Sequence, residues 1–473
     1  MLEKGHNQRD SIEIINIEER IPKDHLLRKI DSSIDFTYIY DLVGNLYSAE
    51  KGRPSIDPVV LFKIVLLQHL YGIPSLRQTI REIDMNMAYR WFLGYNLSEP
   101  IPHFATVSYA FTQRYDSEIV KKVFQWILYE AEQAGYLSPE VVFIDATHIK
   151  ASANLKKHCK KAIPQAARTY DKQLRDEINA DREAHGKKPF RDDDDDIDGD
   201  TISGKIITTS TTDPDAGLFH KGEHQKCFAY GAHTVCDKNN FILGVEVRAG
   251  NVHDSTVFDT LYERVAARFP EIEVITMDAA YKTPWIAKRI FDDGRLPSLP
   301  YKRPMTANYG HKWYEYVYDE YYDCIICPEY QVLNYSTTNR NGYREFKSKP
   351  YICQTCPTRE KCTHSHNAQK LVTRHIWHDY IERAEDVRHS PKGKLTYGLR
   401  SQTIERVFAD AKEKHAMRYT HHRSLARVTN WVRLKFAAMN LKKLATWRWR
   451  KLCFNSLFSI FIGFYTKREL SVI

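Results

Sequence analysis

Apolar positions crowd nearly every face of the stretch DPVVLFKIVLLQHL, Asp57 through Leu70, which predicts a helix buried all round. Gly72-Ile73-Pro74 breaks it, and Ser75 stands where an N-cap would open a second helix, SLRQTIREI. A third helical segment follows Pro102 and runs through Thr106 and Tyr109 to Arg114. Short helices joined by tight turns suit a helix-turn-helix-like DNA reader. Thr106, Tyr109 and Gln113 would then share one face, with Arg114 beside them, within reach of base edges or phosphates. They suit equally a plain bundle that positions a catalytic part or dimerises. Residues 1–135 are expected to form this all-α, helix-turn-helix-like domain.

Beyond it the pattern changes to short β-branched runs. VVFID is one strand; CFAYGAHTVCD and FILGVEVRAG are two more, separated by the turn-like Lys238-Asn239-Asn240. A helix from Asp254, the strand IEVITMD, a helix over 283–293 and the run LPSLPYK follow. This order suits an α/β, ribonuclease-H-like catalytic domain with a mixed five-stranded sheet, whose first and fourth strands lie side by side. A Rossmann-like sheet gives similar strings, although no Gly-x-Gly-x-x-Gly follows a strand here. The catalytic domain is expected over 136–302 and 396–450, with 151–226 as an insertion between its first strands. A cysteine-rich insertion over 303–395 and an apolar C-terminal arm over 451–473 complete the division. The acidic run Asp192–Asp196 reads as a solvated loop, because adjacent carboxylates repel. LCFNSLFSIFIGFY is interrupted by Asn455 and Ser456 and falls short of the roughly 20 residues of a membrane span. The start, MLEKGHNQRD, has no apolar secretory core, so the chain is expected in the cytoplasm, at the nucleoid.

Composition is ordinary for a globular protein, but the formal charge of +9 favours a polyanionic partner. Distribution strengthens that reading. Between 400 and 451, fourteen Lys and Arg residues face only Glu405, Asp410 and Glu413, with Trp431, Trp447 and Trp449 among them. A basic stripe beside a carboxylate suits a phosphate backbone.

Three carboxylates carry the candidate chemistry. Asp145 ends the run VVFID, Asp278 ends VITMD, and Glu405 opens the helical stretch IERVFADAKEKH. Magnesium or manganese takes carboxylate oxygens, and two ions roughly 3.5–4 Å apart can stabilise the attacking and leaving oxygens of a phosphodiester. The chain therefore reads as a metal-dependent DNA-cutting and joining enzyme. On the last helix Glu405 and Lys412 share a face, while Asp410 and Glu413 point away by about 140° and 80°. A second cluster pairs Cys324-x₂-Cys327 with Cys353-x₂-Cys356, the spacing of a tetrathiolate zinc site, with Cys362 as an alternative fourth ligand. Reduced free thiols and an iron–sulfur cluster are the competing readings. Cys159, Cys227, Cys236 and Cys453 have no partner spacing.

These stretches together resemble insertion-sequence transposases of the DDE class, and the resemblance spans almost the whole chain. PVVLFKIVLLQHLYGIPSLRQTIREIDMNMAYRWFLG with PHFATVSYAFTQR is similar to that family's InsH-type first domain. VVFIDATHIKASAN, YGAHTVCDKNNFILGVEVRAGNVHDS and VITMDAAY are similar to its catalytic body. DCIICP and CQTCPTREKCT look like its insertion, and YGLRSQTIERVFADAKEKHAMRYTHHRS like its C-terminal motif. The resemblance implies Asp145, Asp278 and Glu405 as the catalytic triad holding Mg²⁺ or Mn²⁺, with Tyr397, Arg400, Lys412 and Arg418 on DNA. It implies double-stranded DNA as partner, both the element's terminal inverted repeats and the target, and at least a homodimer on that DNA. A non-catalytic DNA-binding derivative and a strand-cutting nuclease of the same fold are the rival readings. Four positions depart from the pattern: His103-Phe104 stands for Asp-His, Ser424 for Gly, and Arg400 lies one residue further from Glu405.

Overall fold

The computed structural model describes residues 12, 14–48, 55–163, 170–191, 205–221, 225–302 and 310–469. The acidic run Asp192–Asp196 lies outside them, as do the side chains beyond Cys453. Local capping explains the N-terminal helices. Helix Pro58–Leu70 opens where the Asp57 carboxylate accepts the Val59 N–H at 2.7 Å, and it is buried on nearly every face. Ser75 Oγ accepts the Gln78 N–H at 3.3 Å and opens helix Leu76–Met85. The third segment is helix Phe104–Tyr109 continued by a π-turn over Ala110–Arg114.

These helices do not stand apart from the rest. The long helix Leu425–Glu469 packs on Leu26–Asp31, Pro58–Leu70 and Ser117–Gln133, so one buried cluster runs from Leu27 to Ala445. The backbone of the apolar segment continues this helix as far as Glu469.

The main sheet has strands β1 (Val141–Lys150), β2 (His158–Ile163), β3 (Lys205–Ser210), β4 (Gly217–Lys221), β5 (Gln225–Asp237), β6 (Ile242–Ala249), β7 (Val274–Met277) and β8 (Leu296–Ser298). Their order is β2-β3-β4-β5-β1-β7-β8, with β6 also paired to β5. β1 is antiparallel to β5 and parallel to β7, and β7 is parallel to β8. The sheet therefore has eight strands, where five were expected. The difference comes from β5, whose 13 residues outrun its pairing with β1. Its first residues, Gln225–Ala229, pair instead with β4, and the segment expected as a plain insertion extends the sheet.

The cysteine-rich insertion is itself a five-stranded antiparallel sheet: β9 (Val317–Asp319), β10 (Cys324–Ile326), β11 (Val332–Thr338), β12 (Tyr343–Lys347) and β13 (Leu371–His375). Its own small core is Ile325, Leu333, Phe346 and Val372. Helix Asp171–Ala184 from the first insertion docks on it, with the buried Asp181 carboxylate accepting from Arg344 Nε at 2.8 Å.

One core group predicts a pH response. Lys435 is 2 % exposed, its ammonium donates to the His415 carbonyl, and burial lowers its pKa to about 7. A lysine depressed in the fold costs stability while charged, and that cost fades as pH rises from about 7 toward the ordinary 10.5. The wild type should therefore gain stability relative to Lys435→Met over that window, by about 1.4 kcal/mol per pH unit at the steepest. Denaturant unfolding at several pH values checks this; parallel curves for the two proteins would exclude it.

Candidate active site

β7 ends at Met277, opposite Ile144, while β1 runs on along β5 to Lys150. Asp145 is thus in the middle of its strand and not at the end the sequence suggested. The strand continues because β5 pairs it on one side after β7 has stopped on the other. Asp278 follows β7 directly and caps a short turn, accepting the Ala280 N–H at 2.9 Å. The two aspartates therefore emerge at the same level of adjacent parallel strands.

Helix Ile404–Glu413 packs against β1 through Ile404, Val407, Phe408 and Ala411, all buried. Glu405 lies in its first turn, half exposed. Arg400, on the turn before this helix, connects the pieces. One guanidinium nitrogen donates to Asp145 and the other to Glu405 Oε1 at 2.9 Å. Burial raises the Asp145 pKa to about 6; the Arg400 charge pulls it down, and the charges of Asp278 and Asp254 push it up.

Asp254 is a fourth carboxylate at this place, and sequence reasoning missed it. Its pKa is raised by burial and then by Asp278. His233 Nδ1, on β5, lies 3.6 Å from Asp254 Oδ1 and 3.4 Å from the Tyr281 hydroxyl. Both rings are buried. Burial and then Asp254, Asp145 and Asp278 hold the Tyr281 phenol well above its ordinary pKa. The signal was present in GNVHDS after the third strand, but only the fold brings that turn to Asp278.

The remaining candidates divide. Tyr397 is half-buried on helix Pro391–Gly398, one turn before Arg400. Lys412 and Arg418 line a cavity of about 370 Å³ with His421, His422 and Trp431. The backbone of Arg418 is pinned to the end of β1, its carbonyl accepting the Lys150 N–H at 3.0 Å. A second cavity, about 400 Å³, gathers Arg406, Lys414, Lys442, Lys443 and Arg450 around Asp410. Thr106, Tyr109 and Gln113 are all exposed, whereas Arg114 is half-buried with its guanidinium over the Tyr47 ring. Of the cysteines, Cys327, Cys353 and Cys362 lie in one neighbourhood and Cys324 is buried in β10.

Hard carboxylate oxygens suit Mg²⁺ or Mn²⁺. Among the described residues, however, no three His, Cys, Asp or Glu side chains are gathered tightly enough to hold an ion as they lie. At the acidic site the Arg400 guanidinium lies between Asp145 and Glu405 and donates to both. Among the described residues no helix is long and apolar enough to cross a membrane.

Two domain families match the chain. A transposase domain (DUF772) matches residues 15–113, and a transposase DDE domain matches residues 326–445. The second match contains Arg400, Glu405 and Lys412 and begins after both aspartates, Asp145 and Asp278. No curated protein matches the chain. A transposase domain in its N-terminal helices and a transposase DDE domain in its C-terminal part together support an insertion-sequence transposase of the DDE class.

Proposed function

We propose that this transposase binds the terminal inverted repeats of its own element and catalyses metal-dependent strand cleavage and strand transfer. One observation carries the reading: Asp145 and Asp278 emerge side by side from parallel strands, and one guanidinium ties Asp145 to Glu405. The strand order β6-β5-β1-β7-β8, three antiparallel and two parallel, supports a ribonuclease-H-like catalytic core.

Asp145, Asp278 and Glu405 would hold divalent magnesium or manganese. When bound, the metal supplies an activated water or 3′-hydroxyl and stabilises the leaving oxygen. The chain's own residues position the DNA. Arg400 must exchange its two carboxylates for a phosphate before the acidic groups are released, so DNA entry and metal loading are coupled at one side chain. Lys412 and Arg418 extend the positive edge of the site, and Tyr397 borders it. Positioning and charge neutralisation are most of what phosphoryl transfer asks of a protein. Thr106, Tyr109 and Gln113 present an exposed face for reading the element ends. Two ends cut in concert call for at least a dimer on DNA.

The test is Mg²⁺-dependent nicking and joining of an oligonucleotide duplex that carries an element end. Nicking without joining would instead indicate a nuclease, and binding without nicking a DNA-binding derivative. The full chain's affinity for that duplex should fall with salt, log K against log[salt] sloping by about −0.9 per phosphate contacted. Equal affinity for a random duplex at every salt concentration would remove end recognition from the proposal.

A further inference from the structure

We infer that the ribbon of strands β2 and β3, with the turn leading into β2, is a contact surface for the phosphate backbone of duplex DNA. Lys156, Lys157, Lys160 and Lys161 are all exposed, and none makes an ion pair with a described residue. Among the described residues of 150–163 and 205–229 the carboxylates are Asp213 and Asp215, and both are engaged elsewhere. Asp213 is buried, accepting from the Tyr230 hydroxyl at 2.8 Å and from the Ser424 N–H at 3.1 Å. Asp215 accepts the Leu425 N–H at 2.8 Å. Both thus hold the first turn of the long helix Leu425–Glu469 and leave the lysines of the ribbon uncompensated. Clustered cations of this kind are the electrostatic footprint of a polyanion.

The register ties this ribbon to the acidic site. Cys159 pairs with Thr209, Thr209 with Gly217, Gly217 with Ala229 and Ala229 with Lys150, so these five share one face of the sheet. Alternation then puts His158 and Lys160 of β2, His220 of β4 and Lys226 of β5 on the other face, which is the face of Asp145. All four of these basic side chains are exposed. Four strand spacings separate β2 from β1, roughly 19 Å in all. At a rise of about 3.4 Å per base pair that is about six base pairs. A duplex with a phosphodiester at Asp145, running across the strands on this face, therefore reaches the ribbon within that length. Lysine on an edge strand also discourages pairing with another sheet. Edge protection does not account for His220 and Lys226, which lie on the inner strands β4 and β5.

The inference rests on the DNA-cutting reading for its partner, and the test separates the two. Full-length protein should bind a random-sequence duplex of about 40 base pairs with an affinity that falls with salt. Replacing Lys156, Lys157, Lys160 and Lys161 together by Ala should flatten the slope of log K against log[salt] by about 1.8 or more, since each phosphate grip contributes about 0.9. The same charge removed at Lys172, Lys187, Lys188 and Lys349, exposed elsewhere, should leave the slope unchanged. In wild-type protein the duplex should slow acetylation of Lys160 and Lys226 severalfold, read by mass spectrometry, and leave Lys172 labelled as fast as before. A ribbon variant with the wild-type slope, or a control variant flattened as much, overturns the inference while DNA binding by the chain stands. An unchanged slope is also the result if the lysines answer the acidic run Asp192–Asp196 of their own chain. A wild type that binds no duplex at any salt concentration removes the DNA-cutting reading and the ribbon's role with it.

Discussion

Asp145→Asn should lower Mg²⁺-dependent nicking of an element end by roughly 10³-fold or more, with the fold and end binding intact. Removing the charge takes away the strand-borne ligand and keeps the side chain's size. The fold should tolerate it well. Asp145 is largely buried, and its pKa stands at about 6 because burial penalises its charged form. A neutral amide lifts that penalty and can still accept from Arg400. Thermal unfolding should therefore show the variant as stable as the wild type or more so near neutral pH. Asp278→Asn should behave the same way in cutting, since Asp278 is the partner on the adjacent strand. Nicking by Asp145→Asn at the wild-type rate, in protein shown to be folded and bound to DNA, would end its role as a ligand.

What was legible in the sequence was what local chemistry decides. Asp57 and Ser75 announce their helices because a cap depends on the next three residues only. Asp278 at the close of its strand, and Asp145 within its own, were legible for the same reason. That β1 continues past Asp145 was not, because its continuation depends on β5, more than eighty residues away in the chain. The extra strands β2, β3 and β4 were hidden in a polar segment whose pairing needs the overhang of β5. In the insertion the cysteines drew the reading toward a metal knuckle and away from the alternating run VLNYSTT, which is β11. Asp254 shows the limit most clearly. Its motif was in view, yet a carboxylate after a strand declares no chemistry until the fold sets it near Asp278, His233 and Tyr281.

Glu405→Gln should reduce nicking by roughly 10³-fold as well, whereas Asp410→Asn and Glu413→Gln on the same helix should stay within about twofold of wild type. The three carboxylates differ in what they face. Glu405 turns to Arg400, and through it to Asp145. Asp410 pairs with Lys414 at 2.7 Å, one turn on, and Glu413 pairs with Arg418; in both pairs each side chain is more than a third exposed. Exposed pairs of that kind contribute about 0–1 kcal/mol, so losing one changes little. Arg400→Ala separates the coupling from the ligands. Without the guanidinium, Asp145 and Glu405 lose their counter-ion, so Mg²⁺ should bind the DNA-free protein more tightly while DNA binding weakens. Isothermal titration with Mg²⁺ in the absence of DNA reads the first effect, and the nicking assay reads the others. If Glu413→Gln were inactive and Glu405→Gln cut normally, the helix would present its opposite face to the aspartates, and Glu405 would lose its place as the third ligand.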